Sequence, residues 1–173
     1  MSGDTYCQLT TKDVSVLEGM LDRLEEQALA DARIARLLRR KLAAARICFR
    51  DDIDPRVATI NSRVQYRIGK GPIETRVITH GGESALPGLA LPISNIHGLA
   101  LLGLTADDTI TVEAADGHSE VLHVLDIIQQ PEAARLKAQK PVTAVFTNAA
   151  MSNVRTIRRP EPPEDDDPGP QAA

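Results

Sequence analysis

The chain has 173 residues, a net charge of −4 and 42% apolar residues, with no Trp and only Tyr6, Phe49, Tyr66 and Phe146 as aromatics. That length suits one domain with an appendage, or two small domains, around an aliphatic core. The acidic balance excludes a general attraction to nucleic acid, the scarcity of rings argues against an aromatic cage, and Cys7 and Cys48 lie outside any C-x-x-C spacing.

Free thiols and a polar N-terminus fit a cytoplasmic protein, and no stretch has the length and apolarity of a membrane span. Neither a membrane partner nor sequence-specific nucleic-acid binding is expected.

In chain order, Thr10 and Asp13 form a capping-box pattern. Val14, Leu17, Leu21, Leu24 and Ala28 then recur at helical spacing, and a second run carries Ile34, Leu38, Leu42 and Ala45. No Gly or Pro lies between Gly19 and Pro55. Two architectures fit: a helical hairpin turning near Leu29 to Asp31, with Asp31 as the second N-cap, or one long dimerising helix. Asp31 would fall on the apolar seam of the long helix, where burial is costly, so the hairpin is favoured. The first run is acidic (Glu18, Asp22, Glu25, Glu26) and the second basic (Arg33, Arg36, Arg39, Arg40, Lys41, Arg46). The basic run reads either as a solvated face with weak ion pairs or as a helix that touches a partner.

From Asp51 the pattern changes. "DDIDPR" reads as a polar linker. Short strands are predicted over 63–68, 74–79, 109–114 and 121–128, with turns at "GKGP", "HGGE" and Asp116–Gly117. Between them, "PISNIHGLALLGL" predicts one short helix, capped by Ser94 or Asn95 and ended by Gly103. Gly98 inside it implies close packing. "PEAARLKAQKP" predicts a further short helix and "VTAVFTNAA" a weak strand, and the proline- and acid-rich end should be disordered. The class is α+β, with a helical segment over 1–50, a sheet domain over 51–134 and an extension over 135–173.

Catalytic chemistry finds no support. His80, His97, His118 and His123 lack ligand spacing, "GKG" lacks the rest of a phosphate loop, and no nucleophile elbow is present. No catalytic residue, metal or cofactor is expected, and the chain does not read as an enzyme.

The stretches "VATINSRVQYRI", "PISNIHGLALLGLTADDTITV" and "EVLHVLDIIQQPEAA" together resemble the Gre-type transcription elongation factor family, within it the regulators of nucleoside diphosphate kinase (Rnk). The resemblance covers about 51–134 in order and extends more loosely over the N-terminal helices. It implies an FKBP-like C-terminal domain after an antiparallel coiled-coil hairpin. It also implies a partner, bacterial RNA polymerase, met at the rim of its secondary channel. Ser94 matches the first serine of the family's Ser-x-x-Ser-Pro pattern, while His97 and Gly98 replace Ser-Pro and Asp107–Asp108 replaces the later Gly-Asp. The resemblance thus places the partner contact at Ser94, Asn95, Ile96 and His97.

Gre factors stimulate transcript cleavage with acids at the hairpin tip, and here Glu25, Glu26 and Asp31 flank the turn. Arms of some 16–18 residues give a reach of about 25 Å, shorter than a Gre hairpin. The expectation is therefore a factor that competes with cleavage factors without stimulating cleavage. The alternatives are a Gre-like cleavage factor and a small dimeric adaptor unrelated to polymerase. A prolyl isomerase, suggested by the FKBP-like fold, would need an aromatic-walled pocket that Tyr66 and Phe49 alone do not supply.

Overall fold

Thr10 starts the first helix by exchanging hydrogen bonds with Asp13: the Asp13 N–H donates to Thr10 Oγ1 at 3.1 Å, and the Thr10 N–H donates to Asp13 Oδ2 at 3.3 Å. This is the capping box, with an acid in the third position. The computed structural model describes residues 7–26, 31–81 and 88–139, all within one compact unit. Ala28, the turn residues 29–30, part of the "HGGE" turn, the strand expected over 142–150 and the acidic tail lie outside the described residues.

Strand β1 (Gln8–Thr10) leads into helix α1 (Thr11–Glu26). Helix α2 (Ala32–Ala44) follows, N-capped by Asp31, whose side chain accepts from the Arg33 N–H. Two helices, not one long one, therefore form. They fold back on each other, since Arg39 Nη2 donates to Glu25 Oε1 at 2.8 Å across 14 positions, a separation of about 21 Å along one continuous helix. Strand β2 (Arg46–Cys48) pairs with β1 in parallel, Gln8 facing Arg46 and Thr10 facing Cys48.

The larger sheet runs β5-β4-β3-β7-β6. It is built from β3 (Arg63–Ile68), β4 (Ile73–Thr79), β5 (Ala90–Pro92), β6 (Thr109–Glu113) and β7 (Ser119–Gln129). Its pairs are antiparallel except β4 with β5, which is parallel. Neither this parallel edge nor the β1–β2 pair is among the elements that the sequence predicts. The β6–β7 turn is longer than a two-residue hairpin. The Ala114 N–H donates to His118 O and the Gly117 N–H to Ala114 O, and in this turn Gly117 takes the positive φ, at 84°. Helix α4 (Pro131–Gln139) closes the described chain.

Helix α3 (Ile96–Leu101) lies between β5 and β6, N-capped by Asn95. Gly98 and Gly103 are both required by contact. A Cβ on Gly98 would stand 2.3 Å from the Pro92 carbonyl oxygen. A Cβ on Gly103, at φ +80°, would meet Cys7 Sγ at 2.5 Å. Leu99, Leu101 and Leu102 are fully buried and join Leu9, Leu17, Leu37, Leu38 and the sheet residues Val64, Leu122 and Val124 in one aliphatic core. The helices are thus packed into the same core as the sheet, across position 50. Among the described residues no helix is long and apolar enough to cross a membrane.

Candidate functional site

The start of α3 presents three residues to the surface. Ser94 and Asn95 are exposed, and Ile96 is partly buried against the core. Asn95 Oδ1 accepts the His97 N–H at 2.9 Å, satisfying a first-turn amide and fixing where Ile96 leaves the helix. The His97 ring is held from the sheet: its Nε2 lies 2.7 Å from Glu120 Oε2 on β7. The other Glu120 oxygen lies 3.3 Å from His118 Nε2, so one carboxylate spans two imidazoles.

Ile96 opens into a cleft of about 230 Å³ that also involves Leu37, Val112, Thr111 and Ser119. Its other wall is α2, with Arg33, Arg36 and Arg40. Those arginines recur at spacings of three and four, so one face of the helix carries all three. Arg36 Nη1 stands 3.5 Å from Glu113 Oε2 across the cleft, and Arg33 is forked onto Asp31 with Nη2 to Oδ2 at 2.7 Å. The Arg33 hydrogen bonds hold the Asp31 carboxyl below its ordinary value. Arg33 Nη1 is buried without a hydrogen-bond partner. The cleft thus sets apolar side chains beside guanidinium groups. The sequence places Ile96 and the basic run on separate elements; their meeting depends on α2 packing against α3, which no local pattern encodes.

The basic run is not uniform. Lys41, expected on the same charged face, is only 4% exposed. Its Nζ donates to the Leu102 carbonyl and lies 3.9 Å from Cys7 Sγ. Desolvation pushes its pKa below the ordinary 10.5.

The acids near the turn are mostly engaged. Asp31 caps α2 and pairs with Arg33, Glu25 pairs with Arg39, and Glu26 is exposed. Among the described residues no group of three or more His, Cys, Asp or Glu side chains has the arrangement of a metal site. The two described aromatic residues lie apart in character, Tyr66 being 3% exposed and Phe49 70%.

No protein-family model matches the chain. The chain is 34% identical over 112 residues to the regulator of nucleoside diphosphate kinase of Escherichia coli (strain K12), a match covering 64% of this chain and 82% of that protein. The protein of the same name from Shigella flexneri matches to the same extent. Among solved structures, the prokaryotic transcription elongation factor GreA/GreB from Nitrosomonas europaea superposes with a TM-score of 0.54 at 24% identity, covering 69% of this chain and 97% of that one. The second likeness is one of fold: two helices followed by a sheet. The sequence match shows that the chain belongs to the family of regulators of nucleoside diphosphate kinase.

Proposed function

We propose that this protein is a Gre-type factor that binds RNA polymerase through the start of α3 and the arginine-walled cleft, and occupies the secondary channel without stimulating cleavage. One observation carries the reading: Ile96 lines a cleft whose other wall carries Arg33, Arg36 and Arg40. An apolar anchor inside a charged rim is the usual anatomy of a protein interface, and arginine is enriched there. The charge favours an acidic partner segment. Ser94, Asn95 and His97 border the anchor and shape its approach.

Reach argues for occupancy over cleavage. Helix α1 has 16 residues and α2 has 13, lengths of about 24 and 20 Å. Part of each is sunk in the core through Leu17, Leu37 and Leu38, so the free arm is shorter still. Asp31 and Glu25 are already paired to arginines, which leaves Glu26 as the uncommitted acid at the described end of α1. Any effect on nucleoside diphosphate kinase would then follow through transcription.

The test uses backtracked elongation complexes. Added alone, the protein should leave cleavage at the polymerase's own rate. Added with a Gre-type cleavage factor, it should lower the stimulated rate in proportion to its concentration. Cleavage raised by this protein alone, and lost on replacing Glu25 and Glu26 by Ala, would establish the cleavage-factor reading instead.

A further inference from the structure

A buried lysine next to a buried cysteine is an uncommon pairing, and neither the fold nor the proposed interface uses it. Lys41 on α2 is 4% exposed and Cys7, just before β1, is 5% exposed. Lys41 Nζ lies 3.9 Å from Cys7 Sγ. Both groups are aimed at one acceptor, the Leu102 carbonyl, which the thiol approaches at 3.8 Å. Among the described residues no carboxylate pairs with Lys41. The sulfur is pinned from behind, because Gly103 leaves room for it only by lacking a Cβ.

We propose that Cys7 and Lys41 form an oxidative cross-linking site, in which a peroxide joins Cys7 Sγ to Lys41 Nζ as a sulfenamide. In the first step Cys7 gives up its thiol proton and the thiolate sulfur attacks the peroxide; the O–O bond breaks, the sulfur becomes a sulfenic acid, and the departing hydroxide takes up that proton and leaves as water. In the second step the lone pair of the Lys41 amine attacks that sulfur. An S–N bond forms, the S–O bond breaks, and the departing hydroxide leaves as water with a proton from the amine. One thiol, one amine and one hydrogen peroxide give one sulfenamide and two waters; sulfur loses the two electrons that the peroxide gains.

Three features favour this course over the usual fates of a sulfenic acid. The attacking amine must be neutral, and burial already disfavours the charged form of Lys41. The amine is held within a short rotation of the sulfur by a flexible four-carbon stem. The second cysteine is misplaced: Cys48 faces Thr10 in the strand register, three positions from Cys7, or about 10 Å along the strand. That exceeds the Cα separation of a relaxed disulfide. The cross-link would tie the chain before β1 to the last turns of α2, fixing the root of the helical pair.

The experiment is mass spectrometry of the full chain after treatment with hydrogen peroxide and alkylation of remaining thiols. The expected product is a peptide containing both Cys7 and Lys41, two hydrogens lighter than its parts, lost on adding dithiothreitol. The chain should no longer be cut by trypsin after Lys41, and the melting temperature should rise on oxidation. Lys41→Met, checked for folding by circular dichroism, should yield no linked peptide. Cys7 found as sulfinic or sulfonic acid, in a disulfide with Cys48, or unmodified, with Lys41 free, would overturn the proposal from the wild type alone.

Discussion

The carboxylate of Asp13 accepts the backbone N–H of Ile60 at 3.4 Å, so the acid that caps the first helix also holds the segment leading into β3. Asp13 is 1% exposed, and its second oxygen serves Thr10. Asp13→Ala removes both acceptors and should cost about 1–3 kcal/mol, the range for leaving buried donors unsatisfied.

The same residue sets a pH dependence. Desolvation, opposed by its hydrogen bonds to Thr10 and Ile60, raises the Asp13 pKa above the ordinary 3.8. The folded state then binds this proton more tightly than the unfolded state does. The stabilisation is complete below 3.8 and is lost as pH rises through the raised folded value. Urea midpoints of wild type minus Asp13→Asn should therefore fall with rising pH across that window. A difference that is flat or climbs there would refute the assignment.

Lys41 gives the opposite test at alkaline pH. Its pKa is depressed below 10.5 by desolvation, so unfolding takes up a proton. Its contribution is complete above 10.5 and diminishes as pH falls toward the folded value. Stability relative to Lys41→Met should climb as pH rises toward 10.5. An unchanged difference would mean that Lys41 is charged in the folded protein.

Gly98→Ala should be destabilising despite alanine's better helix propensity. The new Cβ would sit 2.3 Å from the Pro92 oxygen, a backbone atom that cannot swing aside. Overpacking of this kind costs about 1–3 kcal/mol. A melting temperature equal to wild type would show that α3 and β5 have slack between them.

What was legible in the sequence was local. The Thr10–Asp13 box, the Asp31 and Asn95 caps and the Gly103 stop each act within a few residues, and each forms as the pattern predicts. The three-residue strands β1, β2 and β5 carry too few positions for alternation to register. The charge of Lys41 predicts a place on the basic face, although its spacing from Leu37 and Leu38 sets it on the apolar stripe; the carbonyl that receives it lies 61 positions away. The cleft was hidden for the same reason, since Arg36 and Glu113 meet only through the tertiary fold.

Glu25 and Glu26 bear on the proposed role at the polymerase. Both are exposed, and the Glu25–Arg39 pair is open to solvent. Replacing both by Ala should change stability by less than about 1 kcal/mol and leave competition with a cleavage factor intact. A loss of competition in a fully folded double variant would move the contact from the cleft to the helical tip.

The proposed interface is tested most directly by titrating core RNA polymerase with the full chain and with Ile96→Asp, each shown to be folded by thermal melting. Arg36→Glu, an exposed position across the cleft, serves as a second variant that leaves the core untouched. Wild type should bind at micromolar concentration or better, and both variants should bind at least tenfold more weakly, as expected for losing an anchor or reversing a rim charge. Wild type that does not bind, or folded variants that bind as well as wild type, would contradict the assignment of this face to the polymerase.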